Sequence, residues 1–274
     1  MAGPTGSGFE VGPAPVLRGE AAGEGTPVVL CHGITATRRY VLHGSRMLER
    51  SGFRVITYDA RGHGESDPAP PGQSYGYPEL VGDLESVIAA TVGEEEFVLG
   101  GHSMGAHTAV AYALRHPERL SGLIVIGPVY AGEITEARLE YWDGLADALR
   151  DGGVEGFVAY VVEHSDTDPA WRETVARITR ERMQLHRHPE AIVDAIRDVT
   201  RSRPFGSMAE LESLEIPALV VASHDEADPG HPRAVAEAYA ERLPRARLIG
   251  EEKGESPLAW QGGKLSREIA GFIG

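Results

Sequence analysis

The sequence predicts an α/β protein: a mostly parallel sheet flanked by helices, interrupted by an all-helical insertion. Three observations predict it. Short apolar runs alternate with helix-period segments as far as residue 130. Strand-like patterning is missing from about 131 to 207. It returns at Pro217-Ala-Leu-Val-Val221 and again at Ala246–Ile249.

The elements follow in order. Phe9–Arg18 reads as an antiparallel edge hairpin. Val28-Val-Leu-Cys31 is the first parallel strand, followed by helical patterning over Arg38–Arg50. Phe53–Tyr58 pairs with a helix near Pro78–Val92, and Phe97–Gly100 with a helix near Met104–Arg115. Leu123–Ile126 closes this half. Strand–helix–strand at this spacing means parallel strands joined by right-handed crossovers. In the insertion, Leu139, Trp142, Leu145 and Leu149 fall on one helical face that Asp151-Gly-Gly153 ends. Phe157, Val158, Val161 and Val162 repeat the period. Asp168-Pro169 reads as a cap and first helical residue leading to Trp171, and Pro189 opens a helix carrying Ile192, Val193, Ile196 and Val199. After the sheet resumes, helices are expected near Pro232–Leu243 and Leu265–Ile273.

The chain of 274 residues is long enough for one sizeable core with a small appendage, and its formal charge of −15 disfavours nucleic acid and anionic membrane as partners. Single Cys31 permits no internal disulfide, and its place in an apolar run fits a small buried thiol. Met1–Gly8 has neither the basic start nor the apolar core of a signal peptide, and no run of about 18 apolar residues occurs, so a cytoplasmic location is expected.

Gly101-His-Ser103-Met-Gly105 lies between a predicted strand and a predicted helix. A serine there is forced through a sharp turn that exposes its Oγ, and the flanking glycines permit close backbone approach. The following helix aims its positive end at the site. His32-Gly33-Ile34-Thr35 follows the first parallel strand. The backbone N–H groups of Ile34 and Met104 are therefore expected to form an oxyanion hole. His32 reads as a structural residue bracing that loop.

With these motifs, Asp59-Ala-Arg61-Gly-His-Gly-Glu-Ser66 and Ile216-Pro-Ala-Leu-Val-Val-Ala-Ser-His-Asp225 in the same order, the chain resembles the α/β-hydrolase superfamily over essentially its whole length. The resemblance implies a core of residues 1–130 and 208–274 and a helical lid at 131–207. It implies a triad in the order serine, acid, histidine, with Ser103 as nucleophile and Asp225 as acid. It places the histidine in the last loop, where this chain has Gly254-Glu255. Glu255 is thus expected at the family histidine position, facing Ser103 and Asp225. A carboxylate is a poor proton relay beside another carboxylate, so hydrolysis is expected to be impaired. Among the other histidines, His102 reads as pointing away from the serine, His63 and His224 occupy positions often filled by histidine in relatives whose base lies elsewhere, and His164, His186 and His188, in the lid, could in principle reach down to the serine. The chain shows no metal-ligand cluster, and no cofactor is expected.

The reading is a serine hydrolase of carboxylic esters or related acyl compounds. Its small-molecule substrate would be mainly hydrophobic and bound beneath Trp142, Phe157 and Trp171. Two alternatives stay open: a non-hydrolytic lyase or isomerase, or a ligand-binding protein on a hydrolase scaffold. The oligomeric state is not legible.

Overall fold

The computed structural model describes residues 6–274, so the start of the segment read for a leader lies outside the described residues. Its centre is an eight-stranded sheet in the order β1-β2-β4-β3-β5-β6-β7-β8. The strands are β1 (Ser7–Val11), β2 (Leu17–Ala22), β3 (Thr26–Cys31), β4 (Phe53–Tyr58), β5 (Phe97–His102), β6 (Leu120–Ile126), β7 (Ala218–Val221) and β8 (Ala246–Ile249). β1 and β2 form the antiparallel hairpin, β2 runs antiparallel to β4, and the remaining pairs are parallel.

Helices cover both faces, which is why the middle strands are apolar along their length rather than alternating. Val28, Val29, Leu30, Leu99, Leu123, Ile124 and Val220 are all buried. The crossover helices are α1 (Met47–Arg50), α2 (Tyr77–Thr91) and α3 (Met104–Arg115). The helical patterning over Arg38–Arg50 is corrected to two short turns. His43 and Gly44 take positive φ (47° and 72°), and that left-handed pair stops any continuous helix.

Between β6 and β7 come α4 (Glu136–His164), α5 (Arg172–Met183) and α6 (Pro189–Arg201), with no strand among them. Gly153 (φ 60°, ψ −154°) breaks α4 where the Asp151-Gly-Gly153 run falls. Asp168 closes a turn by accepting the Ala170 N–H at 2.8 Å, but α5 begins only at Arg172, so the expected helix start at Pro169 is corrected. Hydrogen bonds tie the turn after α5, and α6, to the core. Gly64 N–H donates to His186 Nδ1 (3.0 Å), and Arg187 N–H to Gly64 O (3.0 Å). Asp198 accepts from Ser74 Oγ and Tyr75 N–H, both at 2.9 Å. α7 (Arg233–Arg242) and α8 (Gly262–Ile273) complete the fold. No helix among the described residues is long and apolar enough to cross a membrane.

Candidate active site

Ser103 stands between β5 and α3 with φ 54° and ψ −116°, a conformation that side-chain-bearing residues rarely adopt. The surrounding contacts hold it there. Ser103 N–H donates to Ile126 O (2.9 Å), and its carbonyl accepts from His107 N–H (3.1 Å). The glycines are sterically required. A Cβ on Gly105 would lie 2.2 Å from Cys31 O, and one on Gly101 would lie 2.3 Å from the Gly105 carbonyl carbon. The tight packing of elbow against β3 is what pushes the serine up to the cavity.

The His32 loop is braced by its own side chain. Ala60 N–H donates to His32 Nε2 (2.9 Å), which puts the ring proton on Nδ1, and Nδ1 donates to Gly33 O (2.8 Å). Ala36 N–H donates to the same oxygen at 2.9 Å. In a trans peptide the N–H points opposite the C=O, so anchoring Gly33 O turns the Ile34 N–H the other way. Among the described residues that N–H has no acceptor. Met104 opens α3, so its N–H has no partner within the helix. Ser103, Ile34 and Met104 line one cavity. Burial holds the His32 pKa well below its ordinary value, with His63 adding to the effect, so the brace stays neutral.

Asp225 and Glu255 are not brought to this place. Asp225 is exposed, and its carboxylate accepts the N–H of Arg233, the first residue of α7, at 2.9 Å. Glu255 is 48% exposed and pairs with Lys264 Nζ at 3.0 Å, which together with the Glu252 contact lowers its pKa. The expectation that it faces Ser103 and Asp225 is therefore corrected: α8 offers it a cation at the surface. The buried carboxylate of this loop is Glu251, which accepts the N–H of His224 (2.5 Å) and of Leu258 (2.8 Å) and staples the two C-terminal loops together.

The group that does reach the serine's cavity comes from the loop after β7. His231 Nδ1 lies 2.9 Å from both carboxylate oxygens of Asp228. Burial alone would raise the Asp228 pKa. The adjacent His231 outweighs that, with His102 and Arg182 assisting, and holds the carboxyl below its ordinary value. His102 does not point away, as the sequence reading had it. Its ring centroid is 4.7 Å from that of His231, and its Nε2 is buried with no hydrogen-bond partner. Burial, then His231, holds the His102 pKa well below its ordinary value. One ligand atom each from His102, Asp228 and His231 lies within 4.8 Å of the others, a grouping the sequence did not reveal. The signal available was Asp228-Pro-Gly-His231, an acid and an imidazole three apart in one tight loop.

Ser103 sits where two cavities meet. The smaller, about 30 Å³, is lined by Ile34, Met104, His107, Arg138 and Trp142. The larger, about 140 Å³, is lined by His102, Trp142, Phe157, Arg182, Asp228 and His231. Ser103 Oγ makes no hydrogen bond among the described residues. Trp171 lines neither cavity and packs edge-on against Trp260. His164 stacks on Tyr160, His188 faces Glu190, and His186 is spent on Gly64 and Thr35. His63 is buried between Arg61 O and Ile34 O.

Comparison with known proteins agrees with this architecture. The model of the alpha/beta hydrolase fold family matches residues 26–169. Epoxide hydrolase B of Mycobacterium tuberculosis is 36% identical over 109 residues, covering 40% of this chain and only 30% of that protein. A putative carbamate hydrolase, RutD, of Agrobacterium fabrum is 25% identical across 85% of this chain and 86% of its own length. Among solved structures, a thermophilic esterase from Thermogutta terrifontis superposes with a TM-score of 0.79 at 23% identity, over 97% of this chain and 98% of that one. The chain belongs to the α/β-hydrolase fold family.

Proposed function

We propose that this protein is a serine hydrolase of carboxylic esters or related acyl compounds, in which His231, oriented by Asp228, serves as the base for Ser103. The observation that carries this reading is the His231–Asp228 pair, at 2.9 Å, lining the cavity onto which Ser103 opens. An acid bound to Nδ1 fixes the imidazole tautomer and leaves Nε2 to take a proton. The serine hydrogen bond itself commonly tightens only with substrate present.

In this scheme Ser103 Oγ attacks the acyl carbon while His231 takes the hydroxyl proton. The carbonyl oxygen becomes an oxyanion held by the N–H groups of Ile34 and Met104. Collapse breaks the acyl–oxygen bond, and His231 returns the proton to the departing alcohol. Water repeats the cycle to release the acid and restore Ser103. We read residues 131–207 as a lid over the site, with Trp142 and Phe157 giving the cavity its apolar wall. The two cavities meeting at Ser103 then take the two sides of the scissile bond.

The test is hydrolysis of 4-nitrophenyl butyrate. Ser103→Ala should abolish enzymatic turnover, and His231→Asn should lower kcat by on the order of 10³-fold or more. Unchanged turnover in His231→Asn would remove His231 from the mechanism.

A further inference from the structure

Arg182, on α5, lines the larger cavity together with Ser103 and His231. One wall of that cavity is apolar (Trp142, Leu145, Phe157, Val161, Val175 and Ile178), while Tyr141, Thr167 and Thr179 add hydroxyl groups to it. The Arg182 Nε is buried and has no hydrogen-bond partner, and no carboxylate lies within ion-pair distance of the guanidinium among the described residues. Most other arginines of the chain do have such partners. Arg61 grips Asp83 with two 2.7 Å hydrogen bonds, and Arg38 is paired with Asp59 and Glu65. Arg138, in the neighbouring cavity, has a backbone acceptor in Val129 O at 2.5 Å. Arg182 differs in combining a buried, unpartnered Nε with the lack of any ion pair among the described residues.

A buried guanidinium N–H without an acceptor is costly, and a protein with 41 acidic residues had many ways to supply one. Asp228 is the acidic group whose field reaches Arg182, but both of its oxygens are directed to His231. Guanidinium has a planar fork of donors suited to a carboxylate, and in a low-dielectric cavity the pairing is strong. The cavity of about 140 Å³ has room for roughly five waters, which fits a small organic acid.

We propose that Arg182 is a specificity residue, and that the site takes acyl substrates bearing a carboxylate apart from the bond that is cleaved. This deepens the hydrolase reading and rests on it only for the identity of the bond broken.

The test measures binding, so it does not depend on turnover. In a Ser103→Ala protein, calorimetry would compare monomethyl adipate, which carries one carboxylate, with neutral dimethyl adipate. The charged ligand should bind on the order of 10- to 100-fold more tightly. Adding Arg182→Gln should erase that preference while leaving dimethyl adipate binding within about threefold, and Arg182→Lys should restore part of it. Equal binding of the two ligands, or a preference that survives Arg182→Gln in a protein with unaltered thermal unfolding, would overturn the proposal. Failure of 4-nitrophenyl butyrate hydrolysis would instead count against the base assignment. If Arg182 acts only through the field it places on Asp228, Arg182→Gln would shift the pH profile for neutral esters and leave the charged-ligand preference intact, which also overturns it.

Discussion

His231 Nδ1 is equidistant, at 2.9 Å, from the two carboxylate oxygens of Asp228, and the pair faces the cavity of Ser103. The orienting acid should matter nearly as much as the base. Asp228→Asn should keep the fold but favour the wrong imidazole tautomer, with kcat for a 4-nitrophenyl ester falling by on the order of 10³- to 10⁴-fold. Asp225→Asn, which only weakens a contact at the start of α7, should change kcat less than about twofold. A large loss in Asp225→Asn alone would return the acid role to that residue.

Glu255 faces solvent and Lys264, so Glu255→Gln should leave kcat/KM within about twofold. Glu255→His should bring no gain, because the side chain starts from the surface. A rise of orders of magnitude would mean that the loop swings inward.

In the proposed mechanism His32 positions the oxyanion hole through its hold on Gly33 O. His32→Ala should lower kcat roughly tenfold to a hundredfold, within the range seen when one oxyanion donor is lost, while changing KM little. Loss expressed purely in KM would place His32 in binding rather than in transition-state stabilisation.

The grouping of His102, Asp228 and His231 permits a sharp distinction between metal and proton chemistry. As a base, His231 must keep a nitrogen free, so dialysis against EDTA should leave ester hydrolysis unchanged and added Zn²⁺ should inhibit it. Activity lost to EDTA and restored by a divalent ion would make the three side chains ligands.

Burial pushes the pKa of His186 and of His107 down to about 3. The unfolded chain takes up their protons near pH 6.5, the folded protein only near 3. Their contribution to stability is therefore complete above about pH 6.5 and is lost as pH falls toward 3. Between pH 7 and 5 each should cost roughly 2 kcal/mol of unfolding free energy. Denaturant unfolding at the two pH values should show a smaller loss for His186→Gln than for the unaltered protein. Equal losses would mean that His186 titrates in the folded state.

The sheet was legible because buried parallel strands leave continuous apolar runs such as Val28–Cys31, and helices leave a 3.6-residue period. Ser103 was legible because only one local geometry accommodates Gly-x-Ser-x-Gly between strand and helix. The base was not. Loop spacing pointed to Glu255, but a loop can keep its length while its side chain turns to the surface and Glu251 fills the interior. His231 and Asp228 share a cavity with Ser103 because β7 lies beside β6 and Gly127 leaves room for the imidazoles of His231 and His102. Arg182, an unexceptional arginine in a charged helix, shows its lack of a partner only in three dimensions.

In the proposed mechanism His231, and no residue of the last loop, activates Ser103. The most direct measurement is the rate of covalent labelling of Ser103 by a fluorophosphonate, followed by intact-mass and peptide mass spectrometry. A single adduct should form on Ser103, with a second-order rate that falls at least a hundredfold in His231→Asn and stays within about twofold in Glu255→Ala. Labelling as fast in His231→Asn as in the unaltered protein, or labelling that collapses in Glu255→Ala, would contradict it.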